Sequence, residues 1–101
     1  MKDLFVSALL DVYGEFLSEK QRALTEYYYN DDLSLSEIAE NEGITRQGAS
    51  DLIKRSVTQL KEYEEKCRYC EHFLKLKELA EDLKNGDKSQ VDLIIDIIEK
   101  L

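Results

Sequence analysis

Apolar residues recur at intervals of three and four along most of the chain, which is the spacing of amphipathic helices. The pattern predicts a first helix over residues 3–13, and its predicted inward stripe is Leu4, Phe5, Ala8, Leu9 and Val12. A second predicted helix begins near Ser18, where Gln21 completes a capping box, and ends at the polar residues 30–32. The chain has no proline, and no stretch alternates apolar and polar residues as a half-buried strand does. An all-α fold is therefore predicted.

Residues 34–60 have the pattern of a helix-turn-helix. Ser34 and Glu37 form a second capping box at the start of a short helix, and Gly43 stands where the chain must reverse. Thr45 is suited to cap the next helix. The apolar stripe of that helix consists of Ala49, Leu52, Ile53, Ser56 and Leu60. An ordinary helical hairpin with a solvated polar face is the alternative interpretation.

The opposite face of this longer helix carries polar and basic side chains. The candidate nucleic-acid-binding residues are Thr45, Arg46, Gln47, Ser50, Lys54 and Arg55. In helix-turn-helix proteins the start of the second helix faces base edges, while basic residues hold phosphates. We therefore expect Arg46 and Gln47 to meet bases, and Lys54 and Arg55 to meet phosphates. Asp51 lies four residues before Arg55, a spacing that favours an ion pair between them.

The C-terminal third is predicted to be helical and to associate with a second copy. The helical pattern continues past Leu60 to the stop signal Asn85-Gly86, and Asp87 is expected to cap a last helix. That helix is apolar on more than one face, and a chain of 101 residues has little core left to cover it. The candidate dimerisation residues are Val91, Ile94, Ile95, Ile98 and Leu101. The predicted division is a helix-turn-helix domain, residues 1–66, and a helical extension, residues 67–101.

Cys67, Cys70 and His72 have the residue types of half a zinc site. Tetrahedral zinc needs four ligands, and the chain has two cysteines and one histidine in all. The two cysteines are therefore interpreted as buried thiols one helical turn apart. Because no glycine-rich phosphate loop and no nucleophile motif occurs, we expect neither an enzyme nor a bound metal or cofactor.

Three consecutive tyrosines, Tyr27, Tyr28 and Tyr29, follow one another in the second predicted helix. They cannot all face the core, because neighbouring positions on a helix differ by about 100°. Either they stack on a base or a partner, or two pack in the core while the third lies at its rim. The second interpretation is favoured.

Charge divides the chain, whose formal net charge is −8. Residues 43–61 carry four cations and one acid, a net +3, whereas residues 1–42 carry −7 and residues 62–101 carry −4. The positive segment coincides with the predicted recognition helix, although the acidic remainder repels phosphate. The N-terminus has no continuous apolar core, and the C-terminal apolar run is too short to span a bilayer. A cytoplasmic protein without membrane insertion is predicted.

The segment over residues 10–66 resembles the YlxM family, small bacterial helix-turn-helix proteins whose genes commonly neighbour those of the signal recognition particle. The shared features occur in order as LSEKQ, YY before an acidic pair, LSEIAE, GITRQ and IKR. The resemblance implies an all-α, sigma-region-4-like domain, a homodimer formed through the C-terminal helices, and a role in the signal recognition particle pathway. The chain departs from the family at Gly48, Ala49 and Ser50, where Ala-Val-Tyr is usual, and at Leu52, where Asn is usual.

Two hypotheses of function follow. The first is a regulator that binds DNA or RNA and takes part in the signal recognition particle pathway. The second is a protein-interaction module of the targeting machinery, whose acidic flanks engage basic components of the particle or the ribosome. A dimeric scaffold that kept the fold and lost its ligand is a third possibility, which Gly48 and Ser50 would suit. A regulator associated with the pathway is favoured, because both of the first two hypotheses are compatible with it.

Overall fold

The computed structural model describes residues 3–101, and helices account for most of that range. The helices are α1 (Leu4–Tyr13), α2 (Glu19–Tyr29), α3 (Leu35–Glu42), α4 (Arg46–Cys67), α5 (Tyr69–Lys84) and α6 (Val91–Lys100), with a short 3-10 turn at Gly14–Phe16. No strand occurs among the described residues, so the all-α prediction is confirmed. The chain divides into two compact units, the first ending at Lys66 and the second comprising Cys67–Leu101.

The start of α2 is fixed by the capping box that the sequence predicts. Ser18 Oγ accepts from the Gln21 N–H at 3.1 Å, and Gln21 Oε1 accepts from the Ser18 N–H at 3.1 Å. The backbone N–H groups of Ser18 and Gln21, at the start of the helix, are therefore both satisfied by side chains three residues away.

Helices α2, α3 and α4 share one apolar cluster in the first unit. Its buried members are Leu24 from α2, Ile38 and Ala39 from α3, and Ala49 and Ile53 from α4. Burying each of the larger of these side chains stabilises the fold by about 1.5–3 kcal/mol. This cluster holds α3 and α4 at a fixed angle to each other.

Two hydroxyl groups are fully buried in the first unit, those of Thr25 and Ser56. Thr25 Oγ1 donates to the Gln21 carbonyl at 2.7 Å, and Ser56 Oγ donates to the Leu52 carbonyl at 2.9 Å. Each hydroxyl thus finds its acceptor one turn earlier in its own helix, which removes the cost of burying it unpaired.

Helix α1 is rotated away from its predicted orientation. Its buried side chains are Val6, Leu9, Leu10 and Tyr13, whereas Leu4 is 77% exposed and Phe5 is 42% exposed. The predicted stripe was right at Leu9 and wrong at Leu4 and Phe5, while Ala8 and Val12 are half-buried. Helix α1 is apolar on nearly every face, so the spacing alone does not choose the buried one. The Tyr13 hydroxyl donates to Glu64 Oε1 at 2.6 Å, and its ring lies 5.9 Å from that of Tyr63. In this orientation of α1, Tyr13 contacts α4.

The three tyrosines do not divide into two core residues and one rim residue. Tyr27, Tyr28 and Tyr29 are all half-buried and all pack against the shared cluster. The rings of Tyr28 and Tyr29 meet edge to face with centroids 5.1 Å apart. A tyrosine side chain can contact the core with its ring and solvent with its hydroxyl. The favoured interpretation, two core tyrosines and one at the rim, was therefore wrong.

The second unit begins at a break that the sequence pattern does not signal. Arg68 adopts a left-handed conformation, with φ of 57°, between α4 and α5. Its guanidinium lies 2.9 Å from Glu71 Oε2 and lowers the pKa of that carboxyl. Cys67 is exposed, whereas Cys70 is buried. The expectation of two buried thiols was therefore wrong for Cys67, because the break removes it from a continuous helical stripe.

Helix α5 ends where the sequence predicts. Gly86, at φ 97°, donates its N–H to the Leu83 carbonyl at 3.0 Å, and the Asp87 N–H bonds to the Asp82 carbonyl at 3.0 Å. These two bonds form a Schellman motif, whose left-handed residue favours glycine.

Helix α6 begins later than predicted. Asp87 Oδ1 accepts from the N–H and the hydroxyl of Ser89, at 2.9 and 2.6 Å, and these bonds lower the pKa of Asp87. Asp87 therefore closes a local turn, and α6 starts at Val91 with no side-chain cap. Short side chains such as Asp stabilise turns and helix starts by the same kind of bond, so the sequence did not distinguish the two.

None of the helices in residues 3–101 combines the length and the apolar character that crossing a membrane would require.

Candidate nucleic-acid interface and C-terminal apolar face

The turn between α3 and α4 is specified by local bonds. Ser34 Oγ accepts from the Glu37 N–H at 3.1 Å, and Glu37 Oε1 accepts from the Ser34 N–H at 3.2 Å. At the other end of α3, Gly43 has φ of 66°, and the Ile44 N–H bonds to the Ala39 carbonyl at 3.1 Å. Ile44 then packs against the shared cluster, as is usual for the residue after a Schellman glycine. The predicted capping box and glycine turn are both confirmed.

Thr45 caps α4. Its Oγ1 accepts from the Gly48 N–H at 2.9 Å, and its carbonyl accepts from the Ala49 N–H at 3.0 Å. A Cβ added at Gly48 would lie 3.0 Å from Thr45 Oγ1. Glycine at this position therefore leaves the capping hydroxyl room to approach the backbone, although it lowers the helix propensity of the first turn.

The remaining candidate residues lie on the surface of α4. Arg46, Gln47, Lys54 and Arg55 are exposed, and Ser50 is half-buried. Within residues 3–101, none of the three cations among them has an ion-pair partner. The exposed surface formed by these five residues is called the α4 face below. It presents positive charge that a ligand could neutralise.

One expected contact on the α4 face is not formed. Asp51 Oδ1 accepts from Gln47 Nε2 at 2.8 Å and does not pair with Arg55. The Gln47 amide also lies four residues from Asp51, so two residues compete for the same carboxylate. The Arg55 guanidinium therefore has no ion pair with Asp51, and one N–H of the Gln47 side-chain amide is already used.

Lys61 was missed as a candidate at the sequence level. It is exposed and lies seven residues, about two turns, beyond Lys54 on α4. That spacing places it on the same side of the helix, and its position was available from the sequence. It extends the positive charge of the α4 face along the helix axis.

The C-terminal candidate residues form an apolar surface on α6. Val91, Ile95, Ile98 and Leu101 are 39%, 49%, 54% and 53% exposed, and Ile94 is half-buried. Ile97, at the edge of this surface, is 7% exposed. Helix α6 thus buries one edge of its apolar surface and leaves the rest in solvent.

A second apolar stripe lies on α5. It consists of Tyr69, Phe73, Leu76, Ala80 and Leu83, of which Leu76 is half-buried and the others are exposed. These residues alternate spacings of four and three, as the seam of a coiled coil does. The two surfaces make the second unit apolar on the outside to a degree that is unusual for a monomer.

No group of three or more histidine, cysteine or acidic side chains that could hold a metal ion is found in residues 3–101.

The sequence matches a family model over residues 1–100, that of UPF0122, described as "Putative helix-turn-helix protein, YlxM / p13 like". The chain belongs to the UPF0122 family. A UPF0122 protein of Shouchella clausii is 41% identical over 105 residues, which cover 99% of this chain and 96% of the relative. Relatives from Clostridium kluyveri and Symbiobacterium thermophilum are 45% and 44% identical, each over 88% of this chain, and over 74% and 88% of their own lengths.

Membership of UPF0122 confirms the resemblance to YlxM proteins. The family description names a helix-turn-helix and no enzymatic activity. In this member the motif comprises α3, the Gly43 turn and α4. The family match covers both compact units, so the C-terminal helices are part of the UPF0122 chain as well.

Proposed function

We propose that this UPF0122 protein is a regulatory helix-turn-helix protein that binds DNA or RNA. The observation that carries the proposal is the α4 face, where three cations without ion-pair partners in the described chain follow a rigidly capped turn. A capped turn fixes the direction of the helix, and the exposed side chains then have a defined geometry for a ligand. The motif belongs to a sigma-region-4-like domain of a cytoplasmic protein.

The residues of the α4 face have separate roles in this proposal. Arg46 and Gln47, in the first turn of α4, meet base edges, while Lys54 and Arg55 hold phosphates further along the helix. Ser50 stands between the two groups and contacts the ligand at short range. Thr45 acts mainly by capping α4, since its hydroxyl is already bound to the Gly48 N–H.

The protein acts as a homodimer formed by the second unit. Four cations in residues 43–61 give few phosphate contacts, and two copies double their number. The apolar surfaces of α5 and α6 support this association, because a second copy would remove them from water. The second unit is also shorter than the roughly 40 residues below which independent domains usually need additional stabilisation.

A salt titration of nucleic-acid binding tests the proposal. Wild-type protein is mixed with labelled duplex DNA and with folded RNA, and its affinity is measured by fluorescence anisotropy at increasing salt. The double variant Arg46→Ala, Lys54→Ala should bind more weakly. Loss of the Lys54 phosphate contact from each of the two copies should reduce the slope of log K against log salt by about 2, since about one counterion is released per phosphate contact.

The control is the double variant Lys20→Ala, Lys77→Ala, which changes net charge equally at exposed positions off the α4 face. It should retain most of the affinity and the wild-type slope. Wild-type protein without any salt-dependent binding would sink the proposal, and so would equal losses in the two double variants.

The acidic surface favours a second candidate function, a protein-interaction module of the signal recognition particle pathway. Residues 1–42 carry a net −7, which suits contact with a basic protein surface. Glu40 and Glu42 are exposed and stand outside the capping box of α3. The variant Glu40→Gln, Glu42→Gln should recover less of the particle's protein components in a pull-down than wild type does. Recovery of nucleic acid alone by wild-type protein would exclude this candidate.

A further inference from the structure

A surface groove, called the tyrosine groove here, runs along one side of the α4 face. Its larger part has a volume of about 590 Å³ and is lined by side chains that include Tyr28, Tyr29, Lys54 and Val57. Its smaller part, of about 340 Å³, lies at the start of α3 and reaches Arg46. Tyr28 and Leu35 line both parts, so the two are adjacent.

Five of the eight side chains that line the larger part are aromatic or aliphatic. Tyr28 and Tyr29 meet edge to face, so their rings present surfaces in two orientations to anything that enters. Both rings are half-buried and packed against the shared cluster, and little conformational entropy remains for a ligand to remove. Flat aromatic ligands stack on such rings, and each stacked nucleobase contributes about 1–3 kcal/mol.

Positive charge stands in both parts of the groove, at Lys54 in the larger part and at Arg46 in the smaller part. Arg46 and Lys54 are eight residues apart on α4, or about 12 Å at 1.5 Å per residue. Neither has an ion-pair partner among the described residues. A ligand with a flat aromatic centre and an anionic group on either side therefore fits this arrangement.

Two carboxylates line the smaller part and limit which ligand fits there. Glu37 Oε1 accepts the Ser34 N–H, and Asp32, on the loop between α2 and α3, also interacts with another group of the protein; each carboxylate has further lone pairs that can accept hydrogen bonds. Carboxylates accept hydrogen bonds from the amino groups of bases and repel phosphates. The base edge that points toward Asp32 should therefore carry an amino group, as cytosine does and thymine or uracil does not.

We propose that the tyrosine groove binds an unstacked nucleotide of a single-stranded nucleic acid, with its base on Tyr28 and its flanking phosphates at Arg46 and Lys54. A duplex offers base edges but no free base faces, so the groove adds a ligand class that the α4 face alone does not require. The inference rests on the proposed function, because Arg46 and Lys54 serve both sites.

The test compares two variants of one ring. Tyr28→Leu removes the aromatic face and keeps apolar volume against the cluster, whereas Tyr28→Phe keeps the face. Full-length protein is titrated by anisotropy with labelled oligo-deoxycytidine, oligo-deoxythymidine, oligo-cytidine and a mixed-sequence duplex, after circular dichroism has shown that each variant is folded. Tyr28→Leu should weaken single-strand binding about 5- to 150-fold, the range that 1–3 kcal/mol represents, and leave duplex binding unchanged. Tyr28→Phe should stay within about 2-fold of wild type.

The homopolymers test the base preference attributed to Asp32 and the preference for deoxyribose or ribose. Cytidine strands should bind more tightly than thymidine strands, and Asp32→Asn should reduce that preference; Asn tolerates the left-handed φ of 57° found at this position. A comparison of oligo-deoxycytidine with oligo-cytidine then shows which kind of strand the groove prefers.

The outcomes separate this inference from the proposed function. If Tyr28→Leu binds single strands as tightly as wild type does, the proposal that the tyrosine groove binds a nucleotide is overturned. The proposed function still stands in that case, provided that Arg46→Ala, Lys54→Ala loses duplex binding. An equal loss in Tyr28→Phe would also overturn the groove proposal, because stacking does not need the hydroxyl. Wild-type protein that binds no nucleic acid would overturn both.

Discussion

The two compact units are built from the same kind of helix but bury their apolar faces to different extents. The first unit has a well-buried interior, which includes Leu9, Leu24, Ile38 and Leu60 at 1% exposure or less. In the described part of the second unit, the buried apolar side chains are Cys70, Leu79 and Ile97, while Phe73 and Ile98 are more than half exposed. An amphipathic pattern is sufficient to specify a helix, but covering its apolar face requires other elements, and the second unit has few.

The helix ends show the same contrast. Helices α2 and α3 of the first unit each begin with a capping box, and Thr45 caps α4. Helices α5 and α6 of the second unit begin without a side-chain cap. The first unit is therefore specified by local bonds and by packing, whereas the second depends more on what covers it.

The largest effect is expected in the core of the first unit. Ile38→Ala should lower the free energy of unfolding by about 2–5 kcal/mol, because it removes buried methyl groups and leaves a cavity. Urea unfolding followed by circular dichroism measures the change. Ser36→Ala, an exposed change on the same helix, should stay within about 0.5 kcal/mol of wild type. A cost below about 1 kcal/mol for Ile38→Ala would contradict the burial of α3.

The second-largest effect is expected on dimer formation through the second unit. If a second copy covers α6, each tenfold rise in protein concentration should stabilise the dimer by about 1.4 kcal/mol per mole of dimer. Ile95→Lys with Ile98→Lys should abolish this dependence and yield a monomer in sedimentation velocity, whereas Glu99→Gln on the same helix should not. Concentration-independent melting of wild-type protein would show that the apolar surface is not a dimer interface.

Changes to helix caps should alter stability by smaller amounts, with a loss in one unit and a gain in the other. Ser34→Ala removes a cap from the first unit and should cost about 1 kcal/mol. Gln90→Asp supplies a cap that α6 lacks and should stabilise its first turn by about 0.5–1 kcal/mol. Amide hydrogen exchange at the start of each helix reports both changes. Faster exchange in α6 of the Gln90→Asp variant would be inconsistent with an uncapped start.

The smallest effect concerns the ion pair at the start of the second unit. The hydrogen bond and charge of Arg68 lower the pKa of Glu71 in the folded protein. A carboxyl with a lowered folded pKa contributes stability above its unfolded pKa, and this is lost as pH falls through the folded pKa. Arg68→Gln should raise the Glu71 pKa toward its ordinary value in a carboxyl NMR titration, while Lys77→Gln should leave it in place. An unchanged Glu71 pKa in Arg68→Gln would mean that the pair does not persist in solution.

Much of the candidate site was accessible from sequence, because its geometry is set by near neighbours. The capping box at Ser34, the turn at Gly43 and the cap at Thr45 each involve bonds within about five residues of chain. The partner of Asp51 was not accessible, since Gln47 and Arg55 both lie four residues away and the structure alone chooses between them. The tyrosine groove was not accessible either, because it joins side chains from three helices.

By itself, the sequence determined the helices, most of their ends and the family to which the chain belongs. Caps, glycine turns and apolar spacing act over one or two turns, so they can be recognised in the chain directly. Tertiary structure alone decided which face of α1 is buried, how Tyr27, Tyr28 and Tyr29 share the core, and which surfaces of α5 and α6 remain in water. Those outcomes depend on packing between segments that are distant in the chain, and apolar spacing within one helix contains no information about its neighbours.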